Sequence, residues 1–349
     1  MTRVEQPPNG RVSLHPRQGR PTTADVARLA GVSTKTVSRV LTGEVNVSPR
    51  TRGKVLAAVG SLRFRPNGLA RDLRTGGASS TVGFVIGELS NPFYAAVAAG
   101  VESALAAEGL TLLLSATEDR SRQEAHVVEA LLERRVRALL LVPTSADHSY
   151  LQVERQLGTP VVAVDRPLID AVSDSVVFAN REGAHDGTTV LLRAGHRRIA
   201  FVGSAPSLYT HGERLRGYRE ALTAYGLAPD PELERMNAPD ITTAGRMTES
   251  LLSLSSPPEA IMAGNNRAAI GVLEVLRERG AQLGFVAFDD FELARTLGIS
   301  VVAHDDRAMG QAAARIAMSR MRGQQGLSEQ VVLPTSVVLR RSHTQEGVR

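Results

Sequence analysis

Four side chains in the stretch DVARLAGVSTKTVSRVLTG, residues 25–43, carry chemistry suited to a nucleic acid: Thr34, Lys35, Ser38 and Arg39. Hydroxyls, an ammonium and a guanidinium hydrogen-bond to base edges and neutralise phosphates. They fall on one side of a helix, opposite Val37, Val40 and Leu41, whose spacing of three and four points them inward. No catalytic pattern stands elsewhere. There is no G-x-S-x-G and no H-E-x-x-H, and neither lysine of the chain, Lys35 or Lys54, follows the glycine run of a phosphate-binding loop. The absence of cysteine excludes disulfides, thiolate metal sites and cysteine nucleophiles. Asp289-Asp290 and Asp305-Asp306 read as solvated or ligand-binding loop carboxylates rather than a metal centre. The expectation is therefore a protein without catalytic residues, metal or cofactor.

Two short helices must hold the polar face. Thr22, with Asp25 three positions later, opens the first in capping-box fashion, and Val26, Ala27, Leu29 and Ala30 give it an apolar side. Gly31 turns the chain and Ser33 caps the second helix, so that Thr34, Lys35, Thr36, Ser38 and Arg39 lie just beyond a tight turn. This is a helix-turn-helix whose second helix is built to enter a major groove. A third helix, capped by Ser48 and starting with Pro49, closes a small core through Val55, Leu56, Val59 and Leu62. Thr51 and Arg52 at its start are placed for phosphate. Gly53 inside it costs roughly 1 kcal/mol relative to alanine.

The next piece, RFRPNGLARDLRTGG at residues 63–77, has Pro66 blocking helix before it, Asn67 able to cap a short helix after it, and Leu69, Ala70 and Leu73 on one side. A helix of about seven residues does not recover its nucleation cost alone. It reads either as a linker or as a hinge helix ordered over DNA, with Leu73 wedged between base pairs in the minor groove.

Charge supports a polyanionic partner. Residues 1–79 hold 14 basic against four acidic side chains, whereas the other 270 hold 27 basic and 32 acidic, so the net +5 conceals a strongly cationic N-terminal piece. Residues 1–20, rich in Pro, Gly, Arg and Gln, read as a disordered basic arm. No apolar run reaches membrane-spanning length and the N-terminus has no secretory core, which predicts a soluble cytoplasmic protein with no membrane partner.

From residue 81 the texture changes to continuous apolar runs at 81–87, 110–116, 137–143, 160–165, 198–203, 259–264, 283–289 and 299–304. Such runs suit parallel strands covered on both faces. Amphipathic helices between them are predicted at Phe93–Glu108, Gln123–Arg135, Arg181–Ala194 and Asn266–Arg279, with Gly109, Gly195 and Gly280 at or just past the ends of three. The fold class is α/β: a small all-α headpiece followed by two lobes of doubly wound parallel sheet. Ligands in such sheets sit beyond the carboxyl ends of strands.

The sequences VARLAGVSTKTVSRVLTG and RPNGLARDL, followed in order by SNPFY, VDRP, AGHRRIAFVG, ERLRGY, Asn265 and FDD, are similar to the LacI family of bacterial transcription regulators over about 320 residues. The resemblance implies a helix-turn-helix domain at 21–64, a hinge helix and linker at 65–79, and a periplasmic-binding-protein-like effector and dimerisation domain at 80–341. Its N-lobe would comprise 80–179 plus 304–328, and its C-lobe 180–303 plus 329–341. DNA contacts would come from Thr22, Ser33, Thr34, Lys35, Thr36, Ser38, Arg39, Ser48, Thr51, Arg52, Asn67, Ala70, Arg71 and Leu73. Phe93, Tyr94, Asp165, Arg214, Asn265 and Asp289 would hold the effector. The partners implied are double-stranded DNA with a pseudo-palindromic operator, a small-molecule effector of carbohydrate type, and a second copy in a homodimer or tetramer. The function implied is repression of a catabolic operon.

The chain departs from the family's usual pattern at four places: Ala179-Asn180, Asn265-Asn266, the short segment between Gly280 and Phe285, and Ala303-His304-Asp305. A transport solute-binding protein would show a secretory signal and no basic module, the reverse of this sequence. An α/β enzyme would show a catalytic constellation, and none is visible.

Overall fold

Thr22 starts the first element by accepting the Asp25 backbone N–H, while the Asp25 carboxylate accepts the Thr22 N–H at 3.0 Å. In the computed structural model, which describes residues 20–44, 46–65, 79–145, 147–169, 173–324 and 326–344, the chain divides into two compact units, Met1–Ala78 and Ser79–Arg349. The first holds helices α1 (Thr23–Ala30), α2 (Thr34–Leu41) and α3 (Pro49–Ser61). Gly31 ends α1 at φ +65°, a conformation glycine adopts without steric penalty, and thereby makes the tight turn into α2. Ser33 and Ser48 cap α2 and α3 by accepting the N–H groups of Thr36 and Thr51 at 3.1 and 3.2 Å.

Val26, Ala27, Ala30, Val37, Val40, Val55, Ala58 and Phe64 form the core of this unit. Two residues expected in it are not there. Leu29 and Leu56 are 56% and 53% exposed, because each lies about 100° round its helix from the buried stripe, and Ala58 and Phe64 close the core instead. Gly53 has open space where a Cβ would stand. Gly53→Ala is therefore expected to raise the stability of this unit by about 1 kcal/mol, read as a higher unfolding midpoint; an unchanged or lower midpoint would show that the helix is not limited by glycine's backbone freedom.

The second unit consists of two sheets wound alike. The first contains β1 (Thr81–Ile86), β2 (Thr111–Ala116), β3 (Leu139–Leu141), β4 (Val161–Val164), β5 (Asp174–Phe178) and, from far along the chain, β11 (Gln330–Leu333), ordered β2-β1-β3-β4-β5-β11. The second contains β6 (Ile199–Val202), β7 (Glu234–Arg235), β8 (Ala260–Ala263), β9 (Gly284–Phe288), β10 (Ser300–Ala303) and β12 (Ser336–Val338), ordered β7-β6-β8-β9-β10-β12. All pairings are parallel except β10 with β12. Alternate strand residues feed opposite cores. Phe84, Leu140, Val162 and Phe178 pack under helices α4 (Pro92–Ala106) and α12 (Asp306–Met321), and Val85, Leu139 and Leu141 under α5 (Ser121–Glu133). In the second sheet Phe201, Met262 and Phe288 face α7 (Asn180–Arg193) and α8 (Tyr209–Ala224), while Val202, Ile261 and Phe285 face α9 (Ile241–Leu252) and α10 (Asn266–Arg279). The short helices α6 (Gln152–Gln156) and α11 (Ala294–Leu297) complete the lobes. α4 and α12 cross so closely at Gly310 that a Cβ there would fall on the Val97 carbonyl.

The chain passes between lobes after β5, after β10 and after β11. The expected assignment of 329–341 to the C-lobe is corrected at this last crossing. Gln330–Leu333 pairs with Asp174–Phe178 in the first sheet, and only Ser336–Val338 joins the second.

Candidate functional site

Local bonding sorts the expected DNA contacts into groups that shape the headpiece and groups left free. Thr22, Ser33 and Ser48 spend their hydroxyl oxygens on helix N-termini, and the Thr36 and Thr51 hydroxyls sit 2.9 Å from those of Ser33 and Ser48. Arg52 donates to the Glu44 carbonyl at 2.6 Å, which ties the start of α3 to the end of α2. Thr34, Lys35 and Arg39 are exposed and Ser38 is half-buried beside them. Arg39 lies 3.3 Å from the Glu44 carboxylate, an exposed pair that water and salt screen and that a phosphate can displace. Asn67, Ala70, Arg71 and Leu73, like the arm at residues 1–19, lie outside the described residues.

In each sheet of the second unit the strand order reverses beside the first strand, at β1 and β3 and again at β6 and β8, which is where doubly wound sheets take ligands. A cavity of about 80 Å³ lies there between the lobes. Phe93, Tyr94, Asp165, Arg214, Asn265 and Asp289, dispersed over nearly 200 residues of sequence, all line it. Phe93 and Tyr94 follow the Asn91 cap of α4, whose carboxamide oxygen accepts the Phe93 N–H at 3.1 Å. Asn265 caps α10 with its oxygen on the Ala268 N–H at 2.7 Å, which turns its amide nitrogen to other work.

Asp165 and Asp289 occupy equivalent places in the two lobes. Each stands one residue past its strand, β4 or β9, in left-handed backbone at φ +68° and +74°. Each donates its N–H to the neighbouring strand, to Val176 at 2.8 Å and Val302 at 3.0 Å. Left-handed non-glycine residues are rare and collect at functional sites.

The electrostatics of the two differ. Asp289 Oδ1 lies 2.9 Å from His304 Nε2 and 3.4 Å from the Arg214 guanidinium, and Oδ2 accepts the Asn266 N–H at 3.1 Å. Burial alone would raise this carboxyl, but Arg214 and His304 outweigh burial and hold it well below the usual carboxylate range. His304 in turn lies 2.5 Å from Asp306 Oδ1 and stacks on Phe178 with ring centroids 4.2 Å apart. Burial opposes its charge, yet the hydrogen bonds to Asp289 and Asp306 push it up to about 9. Arg214 is fixed by Asn180 Oδ1 and the Gly264 carbonyl, both at 2.8 Å, over the face of Phe288. Asp165 is pushed upward by burial, with Arg166 its nearest cation at 3.5 Å. Arg166 bonds to Asp119, Tyr94 and the Pro143 carbonyl, each at 3.2 Å.

Across the mouth, Arg267 of the C-lobe reaches Glu88 at 2.6 Å and Ser90 at 2.9 Å of the N-lobe, and Asn266 reaches Asn91 at 3.1 Å. Arg166, His211, Arg267 and His304 were not singled out as site residues. Asn266 and His304 nevertheless mark departures from the family pattern, and the structure brings both to Asp289, while Asn180, the neighbour of the departure at Ala179, bonds to Arg214.

A headpiece with an exposed cationic helix, joined in one chain to two lobes closed over a polar cavity, defines a DNA-binding regulator that senses a small molecule. Residues 22–67 match the family described as bacterial regulatory proteins, lacI family, and residues 79–327 match periplasmic binding proteins and sugar binding domain of LacI family. The chain is 31% identical over 327 residues to the ribose operon repressor of Escherichia coli (strain K12), covering 92% of this chain and 98% of that protein. It is 32% identical over 340 residues to the HTH-type transcriptional regulator CelR of Thermobifida fusca, covering 93% and 99%. A solved structure of the lac repressor dimer bound to operator and the anti-inducer ONPF matches with a TM-score of 0.81 at 26% identity, over 93% of this chain and 100% of that one. The chain belongs to the LacI family of bacterial regulatory proteins. It is a DNA-binding transcription regulator modulated by a small-molecule effector, and not an enzyme. Among the described residues no helix is long and apolar enough to cross a membrane.

Proposed function

We propose that this protein is a cytoplasmic homodimeric repressor of a catabolic operon, that α2 reads the major groove of each half of a pseudo-palindromic operator, and that a sugar or related metabolite binds between the lobes. The observation that carries the effector reading is the convergence of Phe93, Tyr94, Asp165, Arg214, Asn265 and Asp289 on one cavity. Carboxylates, an amide and a guanidinium suit hydroxyl-rich ligands, and aromatic faces suit the apolar side of a ring. Support for the operator reading comes from the exposed Thr34, Lys35 and Arg39 on a capped second helix. An effector that favours one arrangement of the lobes needs a coupling of only about 1–3 kcal/mol to change operator affinity 5- to 150-fold.

Selection from a randomised duplex library by the full-length chain is expected to return two inverted half-sites, with affinity falling steeply as salt rises, by about 0.9 in log K per decade for each phosphate contacted. No enrichment, enrichment of a lone half-site, or a flat salt response would overturn the operator reading.

A further inference from the structure

Asp165 and Asp289 form a pseudo-symmetric pair whose partners are distributed unequally. Both are buried, both are left-handed, and both follow the fourth strand of their sheet in chain order. The crossover that follows the next strand supplies Asp289 with His304, the first residue after β10. The corresponding residue in the other lobe, the first after β5, is Ala179, which carries no charge or donor in its side chain. Asp289 therefore has an imidazolium, a guanidinium and a backbone N–H around it. Among the described residues the Asp165 carboxylate accepts no hydrogen bond: Arg166 Nε stands 3.5 Å away while the other nitrogens of that guanidinium serve Asp119, Tyr94 and the Pro143 carbonyl, and Arg214 and His304 act on it only from farther off. One guanidinium thus stands between two carboxylates, while Glu88 has Arg267 and Asp306 has His304. A buried charge without its own counterion is costly in a low-dielectric site.

We propose that the effector carries a protonated amine held by Asp165, so that the ligand's nitrogen does in the N-lobe what His304 does in the C-lobe. This rests on the reading that the cavity binds a small-molecule effector. An anionic ligand meets Asp165 and Asp119, which share the single Arg166 guanidinium, and a neutral polyol leaves the surplus negative charge where it is. His211 fits an ammonium-bearing ligand as well. Burial, then Arg214 and Arg166, lower its pKa to about 3, so the ring stays neutral; the residue lines the cavity, and its buried Nδ1 has no hydrogen-bond partner. A neutral imidazole nitrogen can accept from the ammonium or donate to a neighbouring hydroxyl.

The test uses the full-length chain and matched triples of amine, neutral sugar and acid: D-glucosamine, D-glucose and D-gluconate, with the galacto and manno series alongside. Thermal shift and calorimetry at pH 7.5 are expected to show at least one amine binding about ten-fold or more tighter than its neutral and acid counterparts. That preference is expected to vanish in Asp165→Asn. Equal or tighter binding of the neutral or acid member, binding by no amine, or an undiminished preference in Asp165→Asn overturns the proposal. Should Asp165→Asn bind nothing, the ligand-free proteins decide. Asp165→Asn is expected to unfold at or above the wild-type temperature while Asp289→Asn unfolds well below it, and equal losses overturn the proposal. Operator binding measured with the same triples separates the two readings. A neutral or acid compound that changes operator affinity leaves small-molecule control standing and removes the amine, whereas no change with any compound removes both.

Discussion

Replacing His304 with alanine is expected to lower the stability of the two-lobed unit by roughly 3–5 kcal/mol, the range for removing one partner of a buried ion pair. The imidazolium is nearly inaccessible and stands between the carboxylates of Asp289 and Asp306, with Asp165 and Arg214 the next charges toward it. Phe93, Phe178 and Phe288 surround the ring and exclude water from it. Its removal leaves two carboxylates facing each other at a lobe crossover, with Arg214 and the Asn266 N–H to hold the inner one.

The loss carries a pH signature with a definite sign. The folded pKa of about 9 lies above the ordinary value of 6.5, so protonation of His304 stabilises the fold fully below pH 6.5. The contribution then declines by about 1.4 kcal/mol per pH unit and is gone above about pH 9. Chemical unfolding of wild type and His304→Ala at pH 6 and pH 9.5 should therefore show a gap that narrows by roughly 3 kcal/mol at the alkaline end. A gap of equal size at both pH values would mean that the ring acts by filling space. Asp289 works in the opposite direction: its depressed carboxyl contributes stability at neutral pH that is lost as acid protonates it.

The strands that sequence periodicity locates are those whose apolar runs are unbroken, because burial on both faces of a parallel sheet demands such runs. The strands it misses have specific reasons. β5 begins with Asp174, which interrupts the run DSVVF yet is buried, since Arg320 pairs with it at 2.8 and 2.9 Å and the Glu329 N–H donates to it at 2.8 Å. β11 and β12 are edge strands and half-exposed, so their texture is that of a loop. β11 also returns to the first sheet across 150 residues of chain, a pairing that local pattern does not encode. In the headpiece, by contrast, every N-cap is a local hydrogen bond between residues three apart, and Thr22, Ser33 and Ser48 are legible for that reason.

The cavity was legible in part on similar grounds. The resemblance to the family names Asp165 and Asp289, and the strand pattern puts both at carboxyl ends, where they follow β4 and β9 directly. Their surroundings are set by topology. Asn180, Arg214, Gly264 and Asp289 meet only because α7, α8, β8 and β9 converge, and no spacing announces the contact. Departures from a family pattern were the one signal in the sequence. His304 neutralises Asp289 and the Asn266 N–H donates to it, so two of the unusual residues act on one carboxylate, while Asn180, beside the departure at Ala179, orients Arg214.

Lys35→Ala is expected to weaken binding to the selected operator 5- to 150-fold, about 1–3 kcal/mol, while changing affinity for mismatched duplex much less. Lys35 is exposed in the first turn of α2, the end of a recognition helix that meets base edges. Arg39 stands one turn further on, beside Glu44, and is expected to meet phosphate rather than a base. Arg39→Ala is accordingly expected to weaken operator and non-operator DNA alike and to flatten the slope of log K against log salt by about 0.9. Neither side chain contributes to the headpiece core, so both variants should unfold at the wild-type temperature. Uniform losses for both would reduce α2 to a phosphate-binding element and move sequence reading elsewhere in the headpiece. Sequence-selective loss at Lys35 alone would assign the two ends of one eight-residue helix to different parts of the duplex.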